Sequence, residues 1–391
     1  MNVRAPIKEL ETVDWNFADY SSSQFPADIN SLHWYPAAFV PQIPAILINA
    51  LSQPGDVVFD PFAGAGTTII EASRLRRSFI GVDRNPYAVN ICKAKFTAIG
   101  ETEESWYAEE LKAAKSLTKV ENARQYCALT GIDVEVFKWF HNTSLSEILA
   151  LHQHILRNRG THANLLRQVA LSAILNRCCS QRDHYTYITD RCFPKEMLYR
   201  PARDMYCEQI ALTCCAVIKT RRQFARVYET EWKPSRDGVV ECRDARSLSW
   251  LSDGAVDLVV TSPPYLGVND YVRSMRLTAL LFPEEEGEDA IAAEIGARRK
   301  RFRPKVFEEY KKDMYQSFAE MARILKKTGY LALVIGQGRG RINKENILEM
   351  LIGMLRDDHQ FNVQFEKDRR IKFRRIQVPG VGTERIIVFR R

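Results

Sequence analysis

The chain has no C-x-x-C pair among its nine cysteines, so neither a zinc ribbon nor a dithiol redox motif is supported. Cys178, Cys179, Cys192, Cys207, Cys214, Cys215 and His184 match no ligand spacing, and these thiols are read as buried and inert, with no metal site expected. A charged-then-apolar leader is missing from residues 1–16, and no apolar run is long enough to cross a bilayer. These absences lead to the expectation of a reduced, soluble, cytoplasmic protein that starts at Met1 and has no membrane partner.

What is present is more directive. With 391 residues and 46% hydrophobic content, the chain can bury one large core and a second module. A formal charge of +8 suits a polyanionic partner. After the apolar run Val256–Val260 comes Thr261-Ser262-Pro263-Pro264-Tyr265. A polar acceptor, a stiffened backbone whose carbonyls cannot swing away and a flat aromatic face describe a grip on a planar amine. The amine of a nucleobase is the candidate.

Far upstream, Asp60-Pro61-Phe62-Ala63-Gly64-Ala65-Gly66-Thr67-Thr68 separates the apolar strand Val57–Phe59 from a helix-like stretch. Gly64 and Gly66 let a ligand approach the backbone closely, and the helix start offers free N–H groups. The next strand, Phe79 to Asp83, ends in an acid, and an acid about 20 residues beyond such glycines can reach ribose hydroxyls. A nucleoside-bearing cofactor is implied.

These two motifs together resemble the amino-methylating DNA methyltransferases, which use S-adenosylmethionine. In that family a D-P-F-x-G-x-G-T loop binds the methionine part of the cofactor, and an [S/N/D]-P-P-[Y/F/W] loop holds the target amine. The serine form is typical of cytosine-N4 enzymes, whereas Asn or Asp at that place is more typical of adenine-N6 enzymes. His33-Trp34-Tyr35-Pro36 with Phe39 looks like the family's cofactor-flanking motif, and Asp244 like the acid that meets the adenine amine. The resemblance therefore implies cofactor contacts from His33, Tyr35, Phe39, Asp60, Pro61, Phe62, Ala63, Gly64, Gly66, Thr67, Thr68, Asp83, Asn85, Asp244, Ala245 and Thr261. It implies catalysis by Ser262, Pro263, Pro264 and Tyr265, with Ser262 orienting the amine of a flipped base rather than attacking it. A carbon-5 cytosine mechanism is disfavoured because no cysteine follows a proline. Adenine-N6 methylation is the nearest rival; RNA or protein-amine methylation and a non-catalytic nucleic-acid binder are the remaining ones.

Alternation of strand and helix predicts an α/β chain, a doubly wound mixed sheet like that of class I methyltransferases. Strands are expected near 57–60, 79–83, 238–241, 257–261, 329–335, 361–367 and 385–390, the last two forming a hairpin-like pair. An amphipathic helix is expected over Val306 to Lys327, stopping at Gly329. Residues 1–96 and 236–391 would form the catalytic domain. Residues 97–235 would be a helical insertion, a candidate target recognition module.

Duplex DNA is the expected partner. Arg177, Arg182, Tyr185 and Arg203 of the insertion interleave cations with aromatics, the mixture that contacts phosphates and stacks on bases. A second basic run, Arg298 to Lys305 with Arg299 and Arg301, follows an acidic loop around Glu284 to Asp289; a third spans Arg369 to Arg375. No nuclease motif is evident, so any cognate restriction endonuclease would be a separate chain.

Overall fold

The computed structural model describes residues 4–17, 28–36, 40–181, 193–226, 238–283, 287–338, 346–370 and 381–391. Seven strands form one sheet: β1 (Val57–Asp60), β2 (Ser78–Asp83), β3 (Gly238–Cys242), β4 (Val256–Thr261), β5 (Leu325–Gly338), β6 (Asn362–Arg370) and β7 (Val381–Arg390). Their order is β3-β2-β1-β4-β5-β7-β6, and β7 runs antiparallel to both neighbours. This α/β arrangement is the class I methyltransferase fold. The chain reverses its winding between β1 and β4, and in open α/β sheets that switch point opens a crevice at the carboxyl ends of the strands.

Alternate residues of each strand face opposite layers. Val58, Val260, Val334 and Val388 pack on α1 (Arg4–Glu11), α2 (Gln42–Leu51) and α3 (Thr67–Arg74). Their neighbours Phe59, Val259, Leu333 and Phe389 join a second cluster with the helix Val306–Ile324, through Met314, Phe318 and Met321. The sheet is therefore apolar on both faces, as a central parallel sheet must be.

Between β2 and β3 the chain forms α4 (Pro86–Gly100), α5 (Glu104–Ser116), α6 (Ala123–Thr130), α7 (Asn142–Arg157), α8 (Asn164–Cys178) and α9 (Ala202–Ala225). One apolar cluster runs from Ile148, Leu171 and Tyr206 into Ala88 and Ile91 of α4 and Met275 after β4. Buried Glu110 keys these helices together: it accepts from Arg167 Nε at 2.6 Å and Tyr206 Oη at 2.9 Å, and meets His154 Nε2 at 3.1 Å. Burial would raise its pKa, but His154 and Arg167 outweigh that and hold it below the usual carboxylate value.

Downstream lie α10 (Arg276–Leu281), α11 (Gly287–Ala293), α12 (Val306–Ile324) and α13 (Ile347–Gly353). The expected helix over 306–327 ends at Ile324, because Leu325 pairs with Val256 and Lys326 bonds Asp257 at 2.5 Å. Gly329 is not a helix stop but a strand residue with no room for a side chain: a Cβ there would lie 2.6 Å from the Asp257 carbonyl. The acidic stretch read as a loop is helical from Gly287 onward. The link between β6 and β7 lies outside the described residues.

Candidate active site

Pairing of β1 with β4, Val58 to Leu258 and Phe59 to Val259, brings the glycine loop and the T-S-P-P-Y loop side by side. They share one cavity of about 950 Å³ of empty space, counted with its open mouth. Gly64, Asp83 and Asn85 line one wall, Ser262, Pro264 and Tyr265 another, and Asp244 and Ala245 a third. Pro61, Phe62, Ala63 and Thr67 complete the first wall.

The glycine loop is shaped by its contacts. Gly64 and Gly66 have φ of +51° and +83°, which a side chain would strain. A Cβ on Gly66 would collide with Cys92 Sγ, and one on Gly64 would stand 3.0 Å from the Tyr35 ring. Asp83 fastens the loop to β2, since Oδ2 accepts the Gly64 N–H at 2.8 Å and Oδ1 the Asn85 N–H at 2.8 Å. Asn85 caps α4 by accepting the Tyr87 N–H at 3.1 Å, and its amide donates to Tyr35 Oη at 3.2 Å.

Several expected cofactor residues stand behind the cavity rather than on it. Asp60 accepts from Thr261 Oγ1 at 2.6 Å and from the Phe62 N–H at 3.0 Å. Burial raises its pKa to about 6, against those bonds and the Thr68 hydroxyl. Asp60, Thr261, Thr68 and Gly66 thus brace the loop from beneath. His33 is bonded through Nε2 to Ser172 Oγ at 2.9 Å and through Nδ1 to the Trp34 carbonyl. Burial pushes its pKa down to about 3, so the ring is neutral: Nδ1–H donates to the carbonyl, and Ser172 donates to Nε2 while accepting from Thr278 at 2.6 Å. His33 is a tie between the flanking segment and the helical layer. Phe39 lies outside the described residues.

Asp244 lines the cavity, but its carboxylate is already clamped by Arg246. Oδ1 accepts Nε at 2.9 Å and Oδ2 accepts Nη2 at 2.6 Å, while Arg246 Nη1 reaches Asp313 at 2.6 Å. Burial alone would raise the Asp244 pKa, but these bonds hold it below the usual value. An adenine amine would therefore meet an ionised carboxylate of fixed orientation.

On the acceptor wall, the Ser262 and Tyr265 hydroxyls both donate to the Val334 carbonyl of β5, at 2.9 and 3.2 Å. Tyr265 Oη also lies 3.5 Å from Glu384 Oε1, and Glu384 pairs with Arg369 at 3.0 Å. Burial, with Glu384 nearby, pushes the Tyr265 phenol well above its ordinary pKa, so it remains a neutral hydroxyl. Buried Pro263 does not line the cavity, and the Pro264 carbonyl accepts from Tyr310 at 3.0 Å.

Three contributors were not read from the sequence. Lys95 is 0% exposed and donates to the Ala65 carbonyl at 2.5 Å, gripping the glycine loop from α4. Burial lowers its pKa to about 8. The signal was a single cation on the apolar stripe Ala88, Ile91, Lys95, Ala98. Tyr271 and Glu294 also line the cavity; the Tyr271 ring stacks at 6.4 Å from that of Tyr35, and Glu294 accepts the Tyr271 N–H. Burial raises the Glu294 pKa to about 7 despite Arg299.

The expected DNA contacts divide. Arg177 is exposed near the end of α8 and paired with Glu208 at 2.6 Å; Arg203 is half-buried at the start of α9. Arg182 and Tyr185 lie outside the described residues. Arg299 was expected to grip phosphate, yet its side chain is 15% exposed and bonds Glu294 at 2.6 Å and Asp270 at 3.3 Å. Arg301 stacks on the Phe302 ring at 4.4 Å. Among the described residues no group of acids, histidines and cysteines is placed to hold a metal, and no helix is long and apolar enough to cross a membrane.

S-adenosylmethionine is the cofactor this fold implies, and the lining fits it. The molecule offers a ribose diol, an adenine amine, an ammonium and a sulfonium; the cavity offers Asp83, Asp244 and Glu294, with loop glycines that allow close approach.

Comparison with known proteins agrees with that fit over a limited length. The DNA methylase family model matches residues 6–94. The type II methyltransferase M.MjaII of Methanocaldococcus jannaschii is 28% identical over 85 residues, covering 21% of this chain and 16% of that protein. M.EcaI of Enterobacter cloacae is 44% identical over 55 residues, covering 14% and 12%. The chain thus matches less than a fifth of the length of either relative. The rRNA methyltransferase AviRa of Streptomyces viridochromogenes superposes at a TM-score of 0.39 with 12% identity, over 94% of this chain and 93% of that one, a likeness that adds nothing to the strand order itself. The stretch that carries the cofactor-flanking motif, the glycine loop, Asp83 and Asn85 is the stretch similar to the DNA methylase family, set in a class I methyltransferase sheet.

Proposed function

We propose that the protein is a cytoplasmic, site-specific DNA methyltransferase that transfers a methyl group to the exocyclic N4 amine of cytosine in duplex DNA. The reading is carried by Ser262. Its hydroxyl spends its proton on the Val334 carbonyl and so presents lone pairs to the cavity that Gly64 and Asp83 also line. An amine hydrogen bonds to such an acceptor, and the bond turns the nitrogen lone pair toward the cofactor wall.

S-adenosylmethionine supplies a methyl group on a positive sulfur, an electrophile that an otherwise poor nucleophile can accept. The chain's own residues orient and shield. The Ser262 hydroxyl receives an amino hydrogen, while Pro263, buried behind it, stiffens the loop that carries the hydroxyl. Tyr265, pinned by its hydroxyl to β5, gives the base a face to stack on. Tyr271 and Glu294 line the same cavity and shield it from water.

Residues 1–96 and 236–391 act as the catalytic domain in this reading, and the helices of 97–235 as the target recognition module. A cognate restriction endonuclease, where one exists, is a separate chain. The test is incubation with labelled S-adenosylmethionine and mixed-sequence duplex DNA, followed by digestion to nucleosides. Label should appear in N4-methylcytosine. Label in N6-methyladenine overturns the base assignment, and label only with RNA overturns the polymer.

A further inference from the structure

The run Arg298 to Lys305 contains one aromatic side chain, Phe302, and it is 83% exposed. A single exposed phenylalanine is ordinary on its own; what singles this one out is its neighbours. The root of the segment is pinned to the wall of the cavity. The Arg298 N–H donates to the Asn269 carbonyl at 2.9 Å, the Arg299 N–H to Asp270 at 3.0 Å, and Lys300 Nζ to the Glu294 carbonyl at 2.7 Å. Glu294 and the adjoining Ile295 line the cavity beside Ser262 and Tyr265. Two of the cations are therefore struts, and they fix the base of the arm at the mouth of the site.

The remaining cations are not tied to the cavity wall; half-buried Arg301 donates Nη1 to the Arg298 carbonyl at 3.1 Å. Arg298, Arg303 and Lys305 are exposed, and none of them, nor Arg301, is paired with a carboxylate among the described residues. The Arg301 guanidinium lies over the Phe302 ring at 4.4 Å, so the ring is braced on one face by a positive charge. Two Cα steps place Phe302 within about 8 Å of Lys300, itself bonded to the cavity wall. An exposed aromatic ring among cations, on a segment whose root is bonded to the wall of the proposed base pocket, fits a duplex whose stack has been opened.

We propose that Phe302 enters the base stack at the step vacated when the target base turns into the pocket, with Arg298, Arg301, Arg303 and Lys305 on the flanking phosphates. The inference rests on the methyltransferase reading and adds to it the side chain that holds the duplex open. Apolar wedges of this kind unstack a base step, and the cost of that opening is smallest where the base is already mispaired.

The experiment uses the full chain and a duplex that the wild type methylates, in matched form and with the target base mispaired. Phe302→Ala should lower kcat on the matched duplex by about tenfold or more and restore it to within about threefold of wild type on the mispaired one. Phe302→Trp should keep the matched activity, and S-adenosylhomocysteine should bind all three proteins alike. Unchanged turnover on the matched duplex, or equal loss on both duplexes, overturns the proposal, the second result making Phe302 a docking contact. Self-association at assay concentration that Phe302→Ala abolishes without loss of turnover also overturns it, in favour of a second copy. A wild type that methylates no duplex is a different failure, that of the parent reading.

Discussion

The glycine loop and the basic arm are both expected ligand-binding elements, and they are built in opposite ways. The loop is closed on itself: Asp83 takes the Gly64 amide, Lys95 the Ala65 carbonyl, and Asp60 is held by Thr261. The arm uses its inner cations as struts and leaves the outer ones and Phe302 to solvent. A small cofactor needs a wall fixed to fractions of an ångström, which buried polar contacts supply. A duplex needs long side chains that reach phosphates from a firm root. The difference separates positions that set chemistry from positions that set affinity.

The strongest way to break that separation is Ser262→Ala. In the proposed reading the hydroxyl orients the acceptor and takes no part in the cofactor wall, so turnover should fall by about 100-fold, the cost of misplacing a reacting group. Binding of S-adenosylhomocysteine, measured by calorimetry, should stay within about twofold, since no hydrogen bond to that wall is lost. Equal loss of turnover and cofactor affinity would make Ser262 a structural residue and would merge the two walls into one.

Much of this was legible in the sequence, for a physical reason. The central strands, buried on both faces, are written as short apolar runs, and together with the more polar edge strands all seven were placed, as were the glycine loop and the acid Asp83 that ends β2. What stayed hidden depends on tertiary partners. Arg299 and Arg301 look alike in a basic run, and only the positions of Asp270 and Glu294 turn one into a strut. The amphipathic pattern of α12 continues past Ile324, but pairing of Leu325 with Val256 overrides it. Lys95 takes its role from the Ala65 carbonyl it reaches out of α4, a partner 30 residues away in the chain.

A second prediction sharpens the comparison within the cofactor wall. Burial raises the Asp83 pKa to about 6 from the ordinary carboxylate value, with the Asn85 and Gly64 amides opposing. Because the folded value is raised, its contribution to stability is present at low pH and lost as pH rises through about 6. Ligand hydroxyls and amines need the charged form, so cofactor affinity should move the other way. Below pH 6, affinity for S-adenosylhomocysteine should fall by up to about tenfold per pH unit for one titrating group. Asp83→Asn should flatten that dependence, and its Tm relative to wild type should rise between pH 5 and pH 8 as the native carboxylate ionises. Asp60 at about 6 and Glu294 at about 7 titrate nearby, so the comparison is the difference between the two proteins at each pH. An unaltered pH profile in Asp83→Asn would move the titrating group to one of those two.

The smallest effect tests the arm. Arg301→Ala removes a cation that pairs with no carboxylate among the described residues and bonds only the nearby Arg298 carbonyl, so its Tm should stay near wild type, while DNA affinity falls and the slope of log affinity against log salt shallows by about 0.9, one phosphate contact. Arg299→Ala removes a strut from Asp270 and Glu294. Truncating one partner of a largely buried pair leaves the others uncompensated and costs about 3 kcal/mol or more in stability, so its Tm should drop. The salt slope of the folded fraction should barely change, because Arg299 was never facing the phosphates. If the two variants shift the slope equally, both cations reach DNA and the division of the arm into root and tip does not hold; if only Arg301 does, the exposed face of that arm is the one that meets the duplex.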